Sequence, residues 1–236
     1  MTLLELERVG KRYRRGSRVA LEDVSIEIHA GEMVVIWGER RSGRSTLLRI
    51  AAGIETPDTG TIRFEGADLT TRDRKKLGEG VAYCRREFPR QRGQTVLDQL
   101  IAGQFGRRVP RPVALARAWR ALERVQARSC AELAASELRA DEAVRVAIAR
   151  ALTLDPRLLV IDEPMLGVEL LDRDDILRLL RSLADDGMAI LSCTGEGTGF
   201  LGADRVLALD KGKLDGNLAP DLAPVTDLDR HRHARG

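Results

Sequence analysis

The 236 residues, 43% hydrophobic and 32% charged, suffice to bury one full core with a subdomain. A net charge of +3 and an aromatic content of 3% leave no basic stripe interleaved with aromatics, so nucleic acid is not an expected partner. No apolar run approaches the ~20 residues of a membrane helix, and the N-terminus lacks a basic region and apolar signal core. Cys84, Cys130 and Cys193 show no metal-ligand spacing and suit a reducing cytosol.

Residues 4–9 alternate polar and apolar like a half-buried strand ended by Gly10. Tyr13 then falls in a polar loop, either as a partly buried turn residue or as a platform for a base. Residues 24–28 alternate again, and Gly31-Glu32 turns into the β-branched run 33–37, a buried strand. Residues 47–52 have helical spacing up to Gly53, and 57–60 form a turn before strand 61–64. Another short strand is expected at 81–84. Helical spacing fills 95–104, 113–127, 130–138 and 142–154, which reads as an inserted helical lobe over 87–154. Strand 158–161, helix 170–184 and strands 188–192 and 206–209 alternate, as in a parallel sheet covered by helices. The domain is expected to end at 214. Residues 215–236 read as a tail, with His231 and His233 solvated.

Between strand 33–37 and helix 47–52 lies Gly-Glu-Arg-Arg-Ser-Gly-Arg-Ser-Thr, residues 38–46. Strand, glycine loop and helix start together make a phosphate cradle, in which backbone N–H groups turn inward and the helix adds its positive end. The Gly-x4-Gly-x-Ser/Thr spacing is that of a phosphate-binding loop, with Arg44 where lysine is expected. Lysine occurs only at positions 11, 75, 76, 211 and 213, so drift toward arginine is one account of this exchange.

Beside this loop, the apolar strand ending Asp162-Glu163-Pro164 resembles the second nucleotide motif of ABC-transporter ATP-binding subunits. Residues 145–152 resemble the helix after that family's signature, and Gly60-Thr61-Ile62 and Ala203-Asp204-Arg205-Val206 also fall in place. The likeness spans about residues 3–214. It implies an α/β, P-loop NTPase core of the ABC type with an antiparallel β-subdomain and an inserted helical lobe. It further implies ATP and Mg²⁺ as ligands and head-to-tail pairing of two such subunits. On this resemblance Tyr13 matches the adenine-stacking aromatic, and Gly38, Gly43, Arg44, Ser45 and Thr46 the phosphate loop. Ser45 and Asp162 match the Mg²⁺ ligands, and Glu163 the catalytic base.

The departures from the family pattern fall on functional positions. Besides Arg44, Arg86 stands at the glutamine that helps bind Mg²⁺, and Thr194 aligns with the usual histidine. Leu138, Arg139, Ala140, Asp141 and Glu142 occupy the signature Leu-Ser-Gly-Gly-Gln. There Arg139 is either solvated or paired with Asp141 or Glu142, or it reaches a nucleotide on a second subunit as an arginine finger. The expectation is an ATP-binding subunit with impaired or absent hydrolysis, cytoplasmic and peripheral on the inner membrane face. Its expected partners are a membrane permease and an intact second ATPase subunit, a hetero-dimer favoured over a homo-dimer. A competent ATPase using arginines in place of lost residues, or a non-catalytic scaffold, are the alternatives.

Overall fold

The computed structural model describes residues 2–13, 18–69, 80–84, 93–107, 109–195 and 200–218. Among the described residues, ten strands form two sheets. β1 (Thr2–Tyr13), β2 (Arg18–His29), β4 (Thr59–Phe64) and β5 (Ala67–Asp68) make an antiparallel sheet in the order β2-β1-β4-β5. β3 (Met33–Trp37), β6 (Val81–Cys84), β7 (Leu158–Asp162), β8 (Ala189–Thr194), β9 (Arg205–Asp210) and β10 (Lys213–Leu218) make the other, ordered β10-β9-β3-β8-β7-β6. Its ladders are parallel except for β10 on β9.

Alternation decides how the second sheet is covered. Successive side chains on a strand point to opposite faces, so a strand covered on both sides reads as continuous apolar sequence. Met33 and Val35 face one core, together with Leu159, Ile161 and Ile190. Val34 and Ile36 face the other, together with Leu158, Val160, Ala189, Leu191 and Cys193. Over the first face lie α2 (Val96–Ala102), α3 (Arg111–Arg124), α4 (Ala140–Leu152) and α5 (Leu170–Asp185), burying residues such as Leu100, Leu122, Ile148 and Leu180. Over the second face lies α1 (Arg44–Ala51), whose Leu47, Leu48, Ile50 and Ala51 fill the space between the two sheets. None of the described helices is long and apolar enough to cross a membrane.

Three local expectations change. Residues 130–138 are not a helix. They follow the short 3₁₀ turn Arg128–Cys130 as successive turns, and their backbone carbonyls serve α2 instead. The N–H groups of Val96 and Leu97 donate to the Leu133 and Ala131 carbonyls, and Thr95 bridges Ala134. A helix N-terminus has unsatisfied donors, and here an irregular segment supplies the acceptors. Tyr13 is not in a loop but closes β1, opposite Arg18. Residues 215–218, expected to begin the tail, belong to β10, where Leu214 and Leu218 pair with Leu209 and Val206. Residues 219–236, including His231 and His233, lie outside the described residues, as does Arg86.

Candidate functional site

A parallel sheet brings the carboxyl ends of its strands to one edge, and ligands of such sheets bind there. β3, β8 and β7 are neighbours, with Trp37 level with Thr194 and Asp162 level with Cys193. Residues 38–46, 162–163 and 194–195 therefore meet at one edge, although they are up to 157 positions apart (195 − 38). A cleft of about 360 Å³ opens among them, lined by Arg40, Arg44, Glu163, Met165, Leu166, Thr194 and Gly195.

The loop is built on close backbone approach. Gly38 donates its N–H to the Thr194 carbonyl at 3.3 Å, and a Cβ there would lie 2.3 Å from the Leu209 carbonyl oxygen. Gly43 has φ +114°, and a Cβ would meet the Ala20 carbonyl oxygen at 2.2 Å. Both positions exclude a side chain, which explains the glycine spacing. The loop is tied beneath by the Gly212 N–H donating to the Ser42 carbonyl at 2.8 Å. α1 starts at Arg44 with no acidic residue in its first turn, so its positive end is not offset from within. The Ser42 hydroxyl is buried without a hydrogen-bond partner among the described residues. Glu39, Arg40 and Arg41 are exposed.

Arg44 is 6% exposed, and its Nη2 donates to Glu163 Oε1 at 2.8 Å. Its Nη1 is buried and has no hydrogen-bond partner among the described residues. Glu163, at φ +47°, holds a left-handed backbone that strains a non-glycine residue, and such strain gathers at functional sites. Asp162 accepts three hydrogen bonds: from Ser45 at 3.3 Å, Tyr83 at 3.3 Å and the Cys193 thiol at 3.0 Å. Sequence reasoning did not single out Tyr83 or Cys193. The level carboxyl ends of β7 and β8 were the signal that could have found Cys193.

Tyr13 is held by its hydroxyl, which donates to Glu55 Oε2 at 2.9 Å and shares a 3.2 Å hydrogen bond with Thr46. Arg49 of α1 braces the same group, donating to Tyr13 at 3.1 Å and to Glu55 at 3.1 Å. The aromatic proposed for the base is thus fastened to the helix that follows the phosphate loop. The signature-position residues sit elsewhere, and none of 138–142 lines the cleft. Leu138 packs against the helical core, and α4 begins at Ala140. Arg139 donates through Nε and Nη2 to Asp141 at 3.1 and 2.9 Å, and its backbone N–H to Glu142 at 2.9 Å. Of the two readings of Arg139, the chain by itself adopts the pairing.

Burial pushes the Cys84 thiol up to about 12. Burial and the Asp162 carboxylate raise Cys193 well above the ordinary thiol range, and the same two causes raise the Tyr83 hydroxyl. A raised folded-state pKa means the native chain holds its proton more tightly than the unfolded one. For the Cys84 thiol the stabilisation is complete below its ordinary value, about 8.5, and is lost as pH climbs toward 12. Urea unfolding should therefore show stability falling above pH ~9, by about 1.4 kcal/mol per pH unit for each of the two buried thiols. Cys84→Ala should remove one group's share of that slope. An unchanged slope would show that this thiol does not contribute.

The residues present fit a nucleotide and its metal. Two glycines clear the backbone, Ser42 Oγ and Arg44 Nη1 are donors without partners among the described residues, and Ser45 and Asp162 offer adjacent hard oxygens suited to Mg²⁺. Among the described residues no cluster of three or more His, Cys, Asp or Glu forms a cage for a metal by itself. That agrees with Mg²⁺, which one carboxylate and phosphate oxygens commonly hold.

Comparison with known proteins adds independent findings. A sulfate/thiosulfate import ATP-binding protein CysA of Thermosynechococcus vestitus is 31% identical over 214 residues, covering 90% of this chain and 62% of that protein. Its namesake from Salmonella typhi is 33% identical over 229 residues, covering 92% and 60%. The chain thus spans 60–62% of the length of these curated relatives. Among solved structures, a nucleotide-free ATP-binding cassette from an ABC transporter superposes with TM-score 0.82 at 25% identity, covering 92% of this chain and 91% of that one. The cbiO1 protein of Clostridium perfringens, part of the ABC transporter complex cbiONQ, shares the fold, with TM-score 0.83 at 24% identity, covering 99% and 95%. The family model described as ABC transporter matches residues 21–166, and with this fold and these relatives the chain belongs to the ABC transporter family.

Proposed function

We propose that the chain is the nucleotide-binding subunit of a membrane transport complex, which binds ATP weakly and hydrolyses it slowly or not at all. The observation that carries this reading is the Arg44–Glu163 pair at 2.8 Å. For hydrolysis, the carboxylate at the base position must orient a water, and cations must neutralise the charge that spreads over the transferred phosphoryl group. Here the loop's own cation and that carboxylate are engaged with each other. Arginine's planar fork also differs from lysine's compact ammonium, so Arg44 does not reproduce a lysine contact.

In this reading residues 38–46 cradle the phosphates, with Ser42, Arg44 and the α1 N-terminus as donors. Ser45 and Asp162 hold Mg²⁺, which when bound would neutralise phosphate charge. Tyr13 offers its ring to the base, and Arg86 replaces a metal-contacting glutamine. Because arginines supply charge near the phosphates, binding depends on Mg²⁺ less than in intact members of the family.

The partners proposed are a permease and a second, intact ATPase subunit. Asp141 and Glu142 put carboxylates at a helix start that in head-to-tail pairing faces the partner's nucleotide, which favours a hetero-dimer. Docking on a permease places the chain on the cytoplasmic face of the membrane. The relatives' role in import favours uptake as the direction.

Steady-state turnover of the purified chain with ATP and Mg²⁺ tests the reading. Turnover is expected ~10²–10³ below that of an intact cassette protein, the size of effect that one lost transition-state donor produces. Glu163→Gln should then change it little. Ordinary turnover abolished by Glu163→Gln would establish the competent ATPase instead. Absence of any calorimetric signal with ADP would establish the scaffold.

A further inference from the structure

Gly195 follows β8, and its φ lies outside the range that demands glycine. The residue is exposed, and what a side chain there would meet is a question of volume. A Cβ built there would meet Arg44 Nη2 at 2.9 Å, Nη1 at 3.2 Å and Cζ at 3.4 Å, the nearest heavy atoms among the described residues apart from its chain neighbours. The three atoms are one guanidinium, the one that donates to Glu163. The site of the missing side chain is therefore filled by the end of Arg44, reaching across from α1.

We propose that Gly195 is a positioning residue, whose lack of a side chain holds Arg44 against Glu163. This goes beyond the nucleotide reading and does not need it, because it concerns how three residues of the ligand-free chain fix one another. The Arg44 side chain is 6% exposed and its guanidinium is anchored at 2.8 Å, so a swing away from a new methyl breaks the ion pair. Arg44 and Gly195 are thus a matched exchange: a long, forked cation from the loop and an empty place at the end of β8. A bulky residue at 195 requires a shorter one at 44.

The test is a mutant cycle read by thermal unfolding, with no nucleotide present, so that a failed nucleotide reading leaves its outcome unaffected. In the wild-type background Gly195→Ala should lower the midpoint by about 2–4 °C. In an Arg44→Lys background, where the ammonium is shorter and unforked, the same change should shift it by less than ~1 °C or raise it. An Arg44→Ala background should behave alike, and the two guard against one of them failing to fold. Rescue by Arg44→Lys would establish the positioning role. An equal loss in every background would assign the glycine to its own backbone and overturn the proposal, as would the absence of any loss in the wild type.

Discussion

Gly43→Ala is expected to lower the unfolding midpoint by roughly 6–12 °C, corresponding to about 3 kcal/mol in a domain of this size. Two costs combine. At φ +114° a residue with a Cβ is strained, by about 1–3 kcal/mol. The added methyl would also lie 2.2 Å from the Ala20 carbonyl oxygen and 3.1 Å from Leu21 Cδ2. Neither neighbour swings away, since both belong to β2, whose Leu21 pairs with Lys11 of β1. Overpacking of that kind costs ~1–3 kcal/mol more. Gly66→Ala is the internal control: its φ is +77°, yet a Cβ there meets nothing within 4 Å. It should show the strain alone, about a third to a half of the effect. Calorimetry should register loss of ADP binding in the first variant and none in the second. Equal midpoints for the two variants would disprove the close-approach account.

Asp162→Ala should be the most damaging single truncation at the cleft, lowering stability by roughly 2–4 kcal/mol. Three donors depend on that carboxylate, and two of them, Ser45 and Tyr83, come from elements far apart in sequence. The third, Cys193, is 1% exposed. Leaving buried donors unmade costs more than their formation gains, which is why the effect should exceed that of a surface carboxylate. Urea denaturation gives the stability. Whatever difference Mg²⁺ makes to ADP affinity in the wild type should vanish in the variant. A drop below ~0.5 kcal/mol would mean that the three hydrogen bonds are replaced by water.

Much of this arrangement was legible in the chain because burial on both faces leaves a plain trace. Met33–Trp37, Leu158–Asp162 and Ala189–Thr194 read as apolar runs with turn residues beyond them, and the glycine spacing of 38–46 marks a loop of close approach. The helical spacing of 130–138 misled, because Leu133 and Leu138 fit a helix stripe while the backbone was needed to satisfy α2. β10 escaped notice, since a short edge strand with Asp215, Gly216 and Asn217 carries little apolar signal. Least legible were the side-chain partnerships. Periodicity reports which face a residue occupies, not which residue meets it from another element. Arg44 and Glu163 are 119 positions apart, and only the parallel register of β3, β8 and β7 brings them into contact.

All three cysteines are buried and free, and they sit in three different places: Cys84 on β6, Cys193 on β8 and Cys130 in the helical lobe. A buried thiol reacts with an alkylating reagent only when its surroundings open, so its labelling rate measures the free energy of that opening. The chain therefore carries its own set of local unfolding reporters. If the lobe opens as a unit while the sheet stays closed, Cys130 is modified first, and mass spectrometry of the quenched peptides would resolve it from the other two. Nucleotide added at the cleft would then slow labelling at Cys193, beside Asp162, more than at Cys130. Such a pattern separates ligand protection from global stabilisation without any engineered probe.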